Sequence, residues 1–334
     1  MPDALIRVYH PEIPDFIRRA AAAPEMLRLR NVGMNCGCEY TSFERFLGLK
    51  PYSRYAHSLG VGLITWHFTG DPRAALAGLL HDIASPCFAH VVDFLNGDYL
   101  NQESTEEGTA RMIEESGALQ AVLRDMGLRT ADVSDYHAYP IADNDTPRLS
   151  ADRLEYTLGN AINFGIEPFE AVKAFYGDLY VALNGDGLPE LAFRDRETAL
   201  RFARCALKCS AIYVSDADRG SMQALSELLG DAIRSGVLRR EDLWRTEPEV
   251  IARLKADARF RGRWQAFRDL NAMEVCESGP AREGWRVIHA KKRWIDPLAG
   301  KPPARVSAFS EDFARAARAF LDTPQDYAVR AITK

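Results

Sequence analysis

Hydrophobic residues recur along most of the chain at the three- to four-residue spacing of amphipathic helices. This pattern predicts helices over residues 13–22, 23–30, 54–69, 72–82, 86–95, 104–115, 149–164, 196–214, 216–235 and 310–321. Asp71 and Pro72 separate two of them, because aspartate caps a helix start and proline fits the first turn. The helix over 72–82 is rich in alanine and leucine, which indicates burial on most of its sides.

Three regions depart from this helical pattern. The turn residues 184–187 lie between two strand-forming runs, which predicts a β-hairpin over 179–193. The polar stretch 129–148 predicts a long loop with a short helix near Val133. Beyond about residue 245, short helices alternate with strand-like runs at 285–289 and 327–332. The sequence therefore predicts a mostly α protein, with a helical core over residues 1–245 and a small α+β appendage over 246–334.

The composition is that of an ordinary soluble globular protein. Of the 334 residues, 47% are hydrophobic and 27% charged, with a net charge of −5, so no basic surface for nucleic acid is expected. No apolar run is long enough to span a bilayer and the first residues have no signal layout, so we expect a cytoplasmic protein without membrane contact. The six cysteines, including Cys36 and Cys38, favour reduced thiols over a disulfide or structural zinc.

The residues that carry candidate chemistry lie in consecutive helical segments. His57, His81 and His90 are three of only seven histidines, and Asp82 follows His81 at the end of an apolar helix. A buried histidine beside a carboxylate is costly unless something satisfies both side chains, and a divalent metal does so. Taken alone, a His-Asp pair is equally consistent with a helix cap or a salt bridge.

Five segments together resemble a known family. Residues 54–61, RYAHSLGV, resemble the R-x-x-H-S-L-G-V segment of HD-domain phosphohydrolases, and more narrowly the deoxynucleoside triphosphate triphosphohydrolase branch. Residues 79–90 resemble that branch's His-Asp run, and residues 150–156 resemble its D-x-D-[KR]-x-[DE]-Y element. Residues 26–30, and residues 294–297 followed by 305–307, resemble further family segments in the same order. The resemblance spans almost the whole chain and implies an HD-domain helical bundle.

The resemblance also implies a metal site and a catalytic pair. The implied ligands of one divalent ion (Mn, Fe, Co, Zn or Mg) are His57, His81, Asp82 and Asp152. Four protein ligands would leave coordination positions for water and a phosphate oxygen. His90 matches a histidine that acts as general acid or proton relay, and Asp93 matches the aspartate that orients it.

Further residues match positions that bind substrate in the family. Arg54 matches an arginine that holds a phosphate, Arg153 matches a lysine with the same task, and Tyr156 matches a tyrosine that packs on the sugar. Gln102 stands where the family has a phosphate-binding histidine. Lys208 lies in a stretch where the family supplies another phosphate-binding arginine. For Arg54, Arg153 and Tyr156, a surface salt bridge or core packing is the alternative interpretation.

Two departures from the family bear on the substrate. Ser85 and Gln102 stand where the family has histidines that serve the phosphates, so the site offers fewer cationic donors. A triphosphate carries about four negative charges, each of which needs a partner in a dry pocket. The sequence therefore favours a nucleoside monophosphate, or a modified nucleotide, over an ordinary deoxynucleoside triphosphate.

Three functions are compatible with these residues. The favoured one is a nucleotide phosphohydrolase that uses metal-activated water. The second is a catalytically weak HD-fold protein that binds nucleotides or has a regulatory role. A di-iron oxygenase of the HD type is less favoured, because it needs about six protein ligands and Ser85 and Gln102 cannot fill those roles. The expected partner is a small-molecule nucleotide, and a dimer or tetramer of the chain is compatible with the resemblance.

Overall fold

The computed structural model describes residues 2–97, 108–276 and 284–334, and most of them are helical. The helices are α1 (Pro2–Tyr9), α2 (Asp15–Ala21), α3 (Pro24–Arg28), α4 (Arg54–Thr69), α5 (Pro72–Leu80), α6 (Val91–Asn96), α7 (Thr109–Glu115), α8 (Gly117–Asp125), α9 (Ala151–Asn163), α10 (Phe169–Gly177), α11 (Arg196–Tyr213), α12 (Asp216–Arg234), α13 (Glu247–Ala256), α14 (Ala258–Arg268), α15 (Val306–Phe309) and α16 (Glu311–Asp322). The strands are β1 (Leu179–Leu183), β2 (Pro189–Phe193), β3 (Ala272–Cys276), β4 (Arg286–Val287), β5 (Leu298–Ala299), β6 (Ala304–Arg305) and β7 (Ala328–Ile332). The mostly α prediction is confirmed.

The first hydrophobic core is built around α4. This helix packs against α5, α9 and α1, and its residues from Ala56 to Thr65 are buried. α5 is equally buried from Ala74 to Leu80, as its alanine- and leucine-rich sequence predicts. Because α4 contacts both α5 and α9, the start of α4, the end of α5 and the start of α9 meet at one point of the core.

The second hydrophobic core lies between α6, α12 and α14. Phe88, Leu229, Trp264 and Phe267 are among its buried members. The three-stranded antiparallel sheet of order β3-β7-β4 contacts α12, and Val329 of β7 is buried in this core. The C-terminal strands therefore pack on helices from the middle of the chain.

The predicted β-hairpin is present as β1 and β2. Asn184 makes its turn, because the side-chain Oδ1 accepts hydrogen bonds from the amides of Asp186 and Leu188. β2 also pairs with β5 in parallel, and β5 pairs with β6 in antiparallel orientation. The result is a four-stranded sheet of order β1-β2-β5-β6. The sheet thus joins residues on both sides of position 245, and a domain boundary there stays a prediction.

Several predicted element limits are wrong. The helix predicted over 86–95 begins only at Val91, because Phe88 and Ala89 have φ angles of 59° and 46°, which a right-handed helix cannot include. The described part of the helix predicted over 104–115 is α7, and helices α8 and α10 lie where none was predicted. The loop predicted over 129–148 is confirmed, with 3₁₀ turns at Thr130–Asp132 and Tyr136–Ala138. In the described parts of the chain, we find no helix with the length and apolarity that crossing a bilayer requires.

Candidate metal centre and active-site cavity

Three helix ends bring the predicted metal ligands together. His57 lies in the first turn of α4, His81 directly follows α5, and Asp152 lies in the first turn of α9. Ser53 and Ser150 cap α4 and α9, each accepting a hydrogen bond from a backbone amide three residues later. Such caps fix where a helix starts, so they also fix the direction of side chains in its first turn.

The ligand atoms of these three side chains form a tight triangle. His57 Nε2 lies 3.3 Å from His81 Nε2 and 3.0 Å from Asp152 Oδ1, and His81 Nε2 lies 3.6 Å from that same oxygen. Among the described residues, the ligand atoms of His57, His81 and Asp152 all lie within 4.8 Å of one another, which is close enough for them to share one ion. Both histidines are almost fully buried.

Hydrogen bonds on the far side of each ring set the histidine tautomers. His81 Nδ1 lies 2.7 Å from the carbonyl oxygen of Gly78, which can only accept, so this nitrogen carries a proton. His57 Nδ1 lies 2.6 Å from Glu155 Oε2 and donates to that carboxylate. Both Nε2 atoms and Asp152 Oδ1 therefore face one point, where a shared cation, either a proton or a metal ion, stabilises them.

Glu155 is a buried brace for His57. Its carboxylate also accepts hydrogen bonds from the hydroxyls of Tyr9 and Tyr52. Gly60 on α4 makes room for it, because a Cβ at that position would lie 2.6 Å from Glu155 Cγ. A carboxylate that accepts from three donors is held in one orientation, which fixes the direction of the His57 ring.

The donor set fits a divalent transition metal. Ligand atoms about 2.1 Å from one ion lie roughly 3.0–3.4 Å apart in tetrahedral or octahedral geometry, close to the separations in this triangle. Two neutral imidazoles and a carboxylate form the mixed nitrogen and oxygen set that Zn, Fe, Mn and Co accept. His57, His81 and Asp152 are therefore the residues that would hold the ion, and its identity is open.

Asp82, the fourth predicted ligand, lies at the edge of this triangle. Its Oδ2 is 3.6 Å from His81 Nε2 and 3.9 Å from His57 Nε2. Arg54 Nη1 donates to both of its carboxylate oxygens, at 2.8 and 3.0 Å, and Ser85 Oγ donates to Oδ1 at 2.8 Å. Asp82 can reach the same ion with Oδ2, and its role as a ligand stays a prediction.

Charges at the centre favour proton or metal binding between the carboxylates. Burial opposes protonation of His57, but its hydrogen bonds to Asp152 and Glu155 outweigh that effect and raise its pKa to about 10. Burial likewise opposes ionisation of Asp152 and Asp82, yet nearby cationic groups hold the pKa of both well below the usual range. The centre thus carries ionised carboxylates that attract a cation.

The predicted catalytic pair is in contact. His90 Nδ1 lies 2.8 Å from Asp93 Oδ2, with Asp93 fully buried at the start of α6. Burial lowers the pKa of His90, and this outweighs the opposing effect of Asp93. At neutral pH His90 is therefore mainly neutral, with Nε2 as a proton acceptor, a state that suits a proton relay. The catalytic roles of the two residues stay predictions.

A cavity of about 330 Å³ opens beside the centre and contains most of the predicted site residues. His57, His81, Asp82, His90, Asp152, Arg54, Arg153 and Tyr156 all line it. The guanidinium of Arg153 is directed at its own loop, donating to Asn144 Oδ1 at 2.7 Å and lying 3.3 Å from Asp143. In this position Arg153 orders the loop before α9.

Two predicted substrate-binding residues are not found in this cavity. Lys208 is exposed on α11 and does not line it, because its neighbours Cys205 and Cys209 face the core and turn Lys208 outward. The structure does not bring Lys208 to the cavity, and its assignment to the substrate stays a prediction. Gln102 lies outside the described residues. No disulfide joins the cysteines that the structure describes.

The cavity also contains residues that the sequence did not single out. Tyr136 packs against the His81 ring with centroids 4.9 Å apart, and His137 follows it in the loop before α9. Ala290 to Arg293 form part of another wall. Glu155 lies inside residues 150–156, which resemble the family, so this resemblance could have marked it as a site residue. Residues 290–293 lie in no segment that resembles the family.

Comparison with known proteins agrees with this geometry. No family model matches the chain. It is 24% identical over 257 residues to the metal-dependent phosphohydrolase cns2 of Cordyceps militaris, covering 75% of this chain and 72% of that protein. It is 29% identical over 207 residues to YdhJ of Bacillus subtilis, and this alignment spans only 61% of either protein.

A solved structure shares the fold. A phosphohydrolase from Bacteroides thetaiotaomicron superposes with a TM-score of 0.68 at 13% identity, covering 97% of both chains. The similarity in sequence to a metal-dependent phosphohydrolase agrees with the His-His-Asp centre, and the solved phosphohydrolase shares the fold of this chain.

Proposed function

We propose that the protein hydrolyses a phosphate ester or anhydride of a nucleotide, with one divalent ion held by His57, His81, Asp82 and Asp152. The observation that carries this proposal is the triangle of His57 Nε2, His81 Nε2 and Asp152 Oδ1, with sides of 3.0 to 3.6 Å. Such an ion would supply Lewis acidity, which lowers the pKa of water and draws charge from a phosphate oxygen.

The chain's own residues supply orientation and proton transfer. Glu155 and the Gly78 carbonyl hold the two imidazoles with Nε2 directed at the centre. His90, fixed by Asp93, lines the same cavity and accepts or returns a proton at Nε2. Arg54 beside Asp82 brings a positive charge to the edge of the centre, where a phosphate would bind.

A nucleotide is supported by the aromatic and polar walls of the cavity. Tyr156 lines it next to Tyr213, with ring centroids 6.1 Å apart, and Asn160 lies beside them. Aromatic rings can pack on a sugar or base, and amide groups can read their polar edges. Because Arg54 and Arg153 already pair with protein groups, we favour a nucleotide with one phosphate over a triphosphate.

The test is a substrate screen on the purified protein. The protein is stripped of metal, reloaded in turn with Mn, Fe, Co, Zn or Mg, and incubated with nucleoside mono-, di- and triphosphates, with products identified by mass spectrometry. We expect phosphate release from a monophosphate with at least one metal. Efficient release of tripolyphosphate from a deoxynucleoside triphosphate would overturn the preference for one phosphate, and no hydrolysis of any nucleotide would overturn the function.

A further inference from the structure

The wall formed by Ala290 to Arg293 is irregular backbone that other parts of the protein hold against the cavity. The buried side chain of Arg219, on α12, donates to the carbonyl of Ile288 just before it. Gln325 Oε1 accepts a hydrogen bond from the Ala290 amide at 2.8 Å. The wall is therefore anchored at its start.

A second anchor lies within the wall itself. The Lys292 ammonium donates to the carbonyls of Leu321 and Thr323, at the end of α16. Lys292 is thus committed to the protein backbone, although it also lines the cavity. The residue that follows it, Arg293, is half-buried and lines the same cavity as His57, His81 and Asp152. The anchors therefore fix the backbone from which the Arg293 side chain extends.

The charge of Arg293 acts on two predicted site residues. Burial raises the pKa of Tyr156 to about 12, and the guanidinium of Arg293 opposes that rise. At His90, burial lowers the pKa, and the charges of Arg54 and Arg293 lower it further. The guanidinium therefore lies near both the proton-relay histidine and the tyrosine.

From this placement we infer that Arg293 binds the substrate phosphate, and this inference rests on the proposed function. A guanidinium presents several donors in a planar fork that matches phosphate oxygens. Arg293 lines the cavity together with the metal-site residues, and its charge acts on His90, so its guanidinium lies in the part of the cavity that holds the proposed proton relay. One such cation, together with the metal, matches the charge of a single terminal phosphate.

The test measures phosphate binding separately from turnover. Wild type, Arg293→Ala, Arg293→Lys and Arg286→Ala are loaded with Mn²⁺, their metal content is measured, and each is titrated with inorganic phosphate by calorimetry. Arg286 is the matched control, an exposed arginine of the same segment paired with Glu227. The Michaelis parameters for a nucleoside monophosphate are then compared.

We expect Arg293→Ala to bind phosphate about ten- to one-hundred-fold more weakly with unchanged metal content. Arg293→Lys should recover part of the loss, because it keeps the charge without the fork. KM should rise more than kcat falls, and Arg286→Ala should behave as wild type. Unchanged phosphate affinity in Arg293→Ala, or no phosphate binding by wild type, would overturn the inference. Phosphate binding without hydrolysis of any nucleotide would overturn only the proposed function.

Discussion

Two walls of one cavity are built in different ways. The wall with His57, His81 and Asp152 comes from the ends of packed helices, and Glu155 and the Gly78 carbonyl brace the rings from behind. The wall over residues 290–293 is irregular backbone anchored by a few hydrogen bonds. A metal site requires ligand atoms at fixed separations, so it is built where helix packing fixes the backbone. A cation that binds phosphate needs only to lie close to the phosphate oxygens, and a loop anchored by a few hydrogen bonds can hold it there.

The largest expected effect comes from removing a ligand of the first wall. In Asp152→Ala the triangle loses its carboxylate, so we expect less than one metal ion per chain and a fall in turnover of more than about 10⁴-fold, since unbound water is not ionised at neutral pH. Metal analysis and phosphate release check this. Asp145→Ala, an exposed acid in the preceding loop, is the control. Full metal content in Asp152→Ala would contradict the ligand assignment.

The next effect separates metal binding from proton transfer. His90→Ala should keep its metal and lose about 10²–10⁴-fold in kcat, because general acid–base catalysis contributes that much. Asp93→Asn should lose less, since the ring remains but its orientation is weakened. Steady-state kinetics with parallel metal analysis measure both variants. If His90→Ala turns over at the wild-type rate, the histidine has no catalytic role.

A smaller effect tests the brace behind the first wall. Glu155→Gln keeps the shape but replaces a carboxylate that accepts from His57, Tyr9 and Tyr52. Changes in such supporting residues cost about 10–100-fold in metal affinity or activity. Competition with a fluorescent chelator gives the metal affinity, and Glu170→Gln on exposed surface serves as the control. Unaltered affinity would mean that the ring is held by packing alone.

The smallest effect is expected at Lys208. The side chain is exposed and outside the cavity, so Lys208→Ala should change the free energy of unfolding by less than about 0.5 kcal/mol and leave KM unaltered. Denaturant unfolding and steady-state kinetics measure these two quantities. A clear rise in KM would show that Lys208 contributes to substrate binding although it lies outside the cavity.

Much of the first wall follows from local sequence. The helix predicted over 54–69 is present with those limits, and the predicted hairpin is present as β1 and β2. His57 and His81 approach because each lies at the end of a strongly patterned helix. The helix predicted over 86–95 is shorter, because a left-handed backbone at Phe88 and Ala89 depends on surrounding contacts that periodicity does not report.

The sequence by itself determined the helical fold class, and its family motifs marked the residues that now form the His-His-Asp centre, because helix periodicity and short motifs are local properties. Only the tertiary structure decided that Glu155 braces His57, that Lys208 faces outward and that Arg293 enters the cavity. The position of Arg293 depends on anchors from Arg219 and Gln325, distant in the chain, and such long-range contacts leave no periodic signal in the sequence.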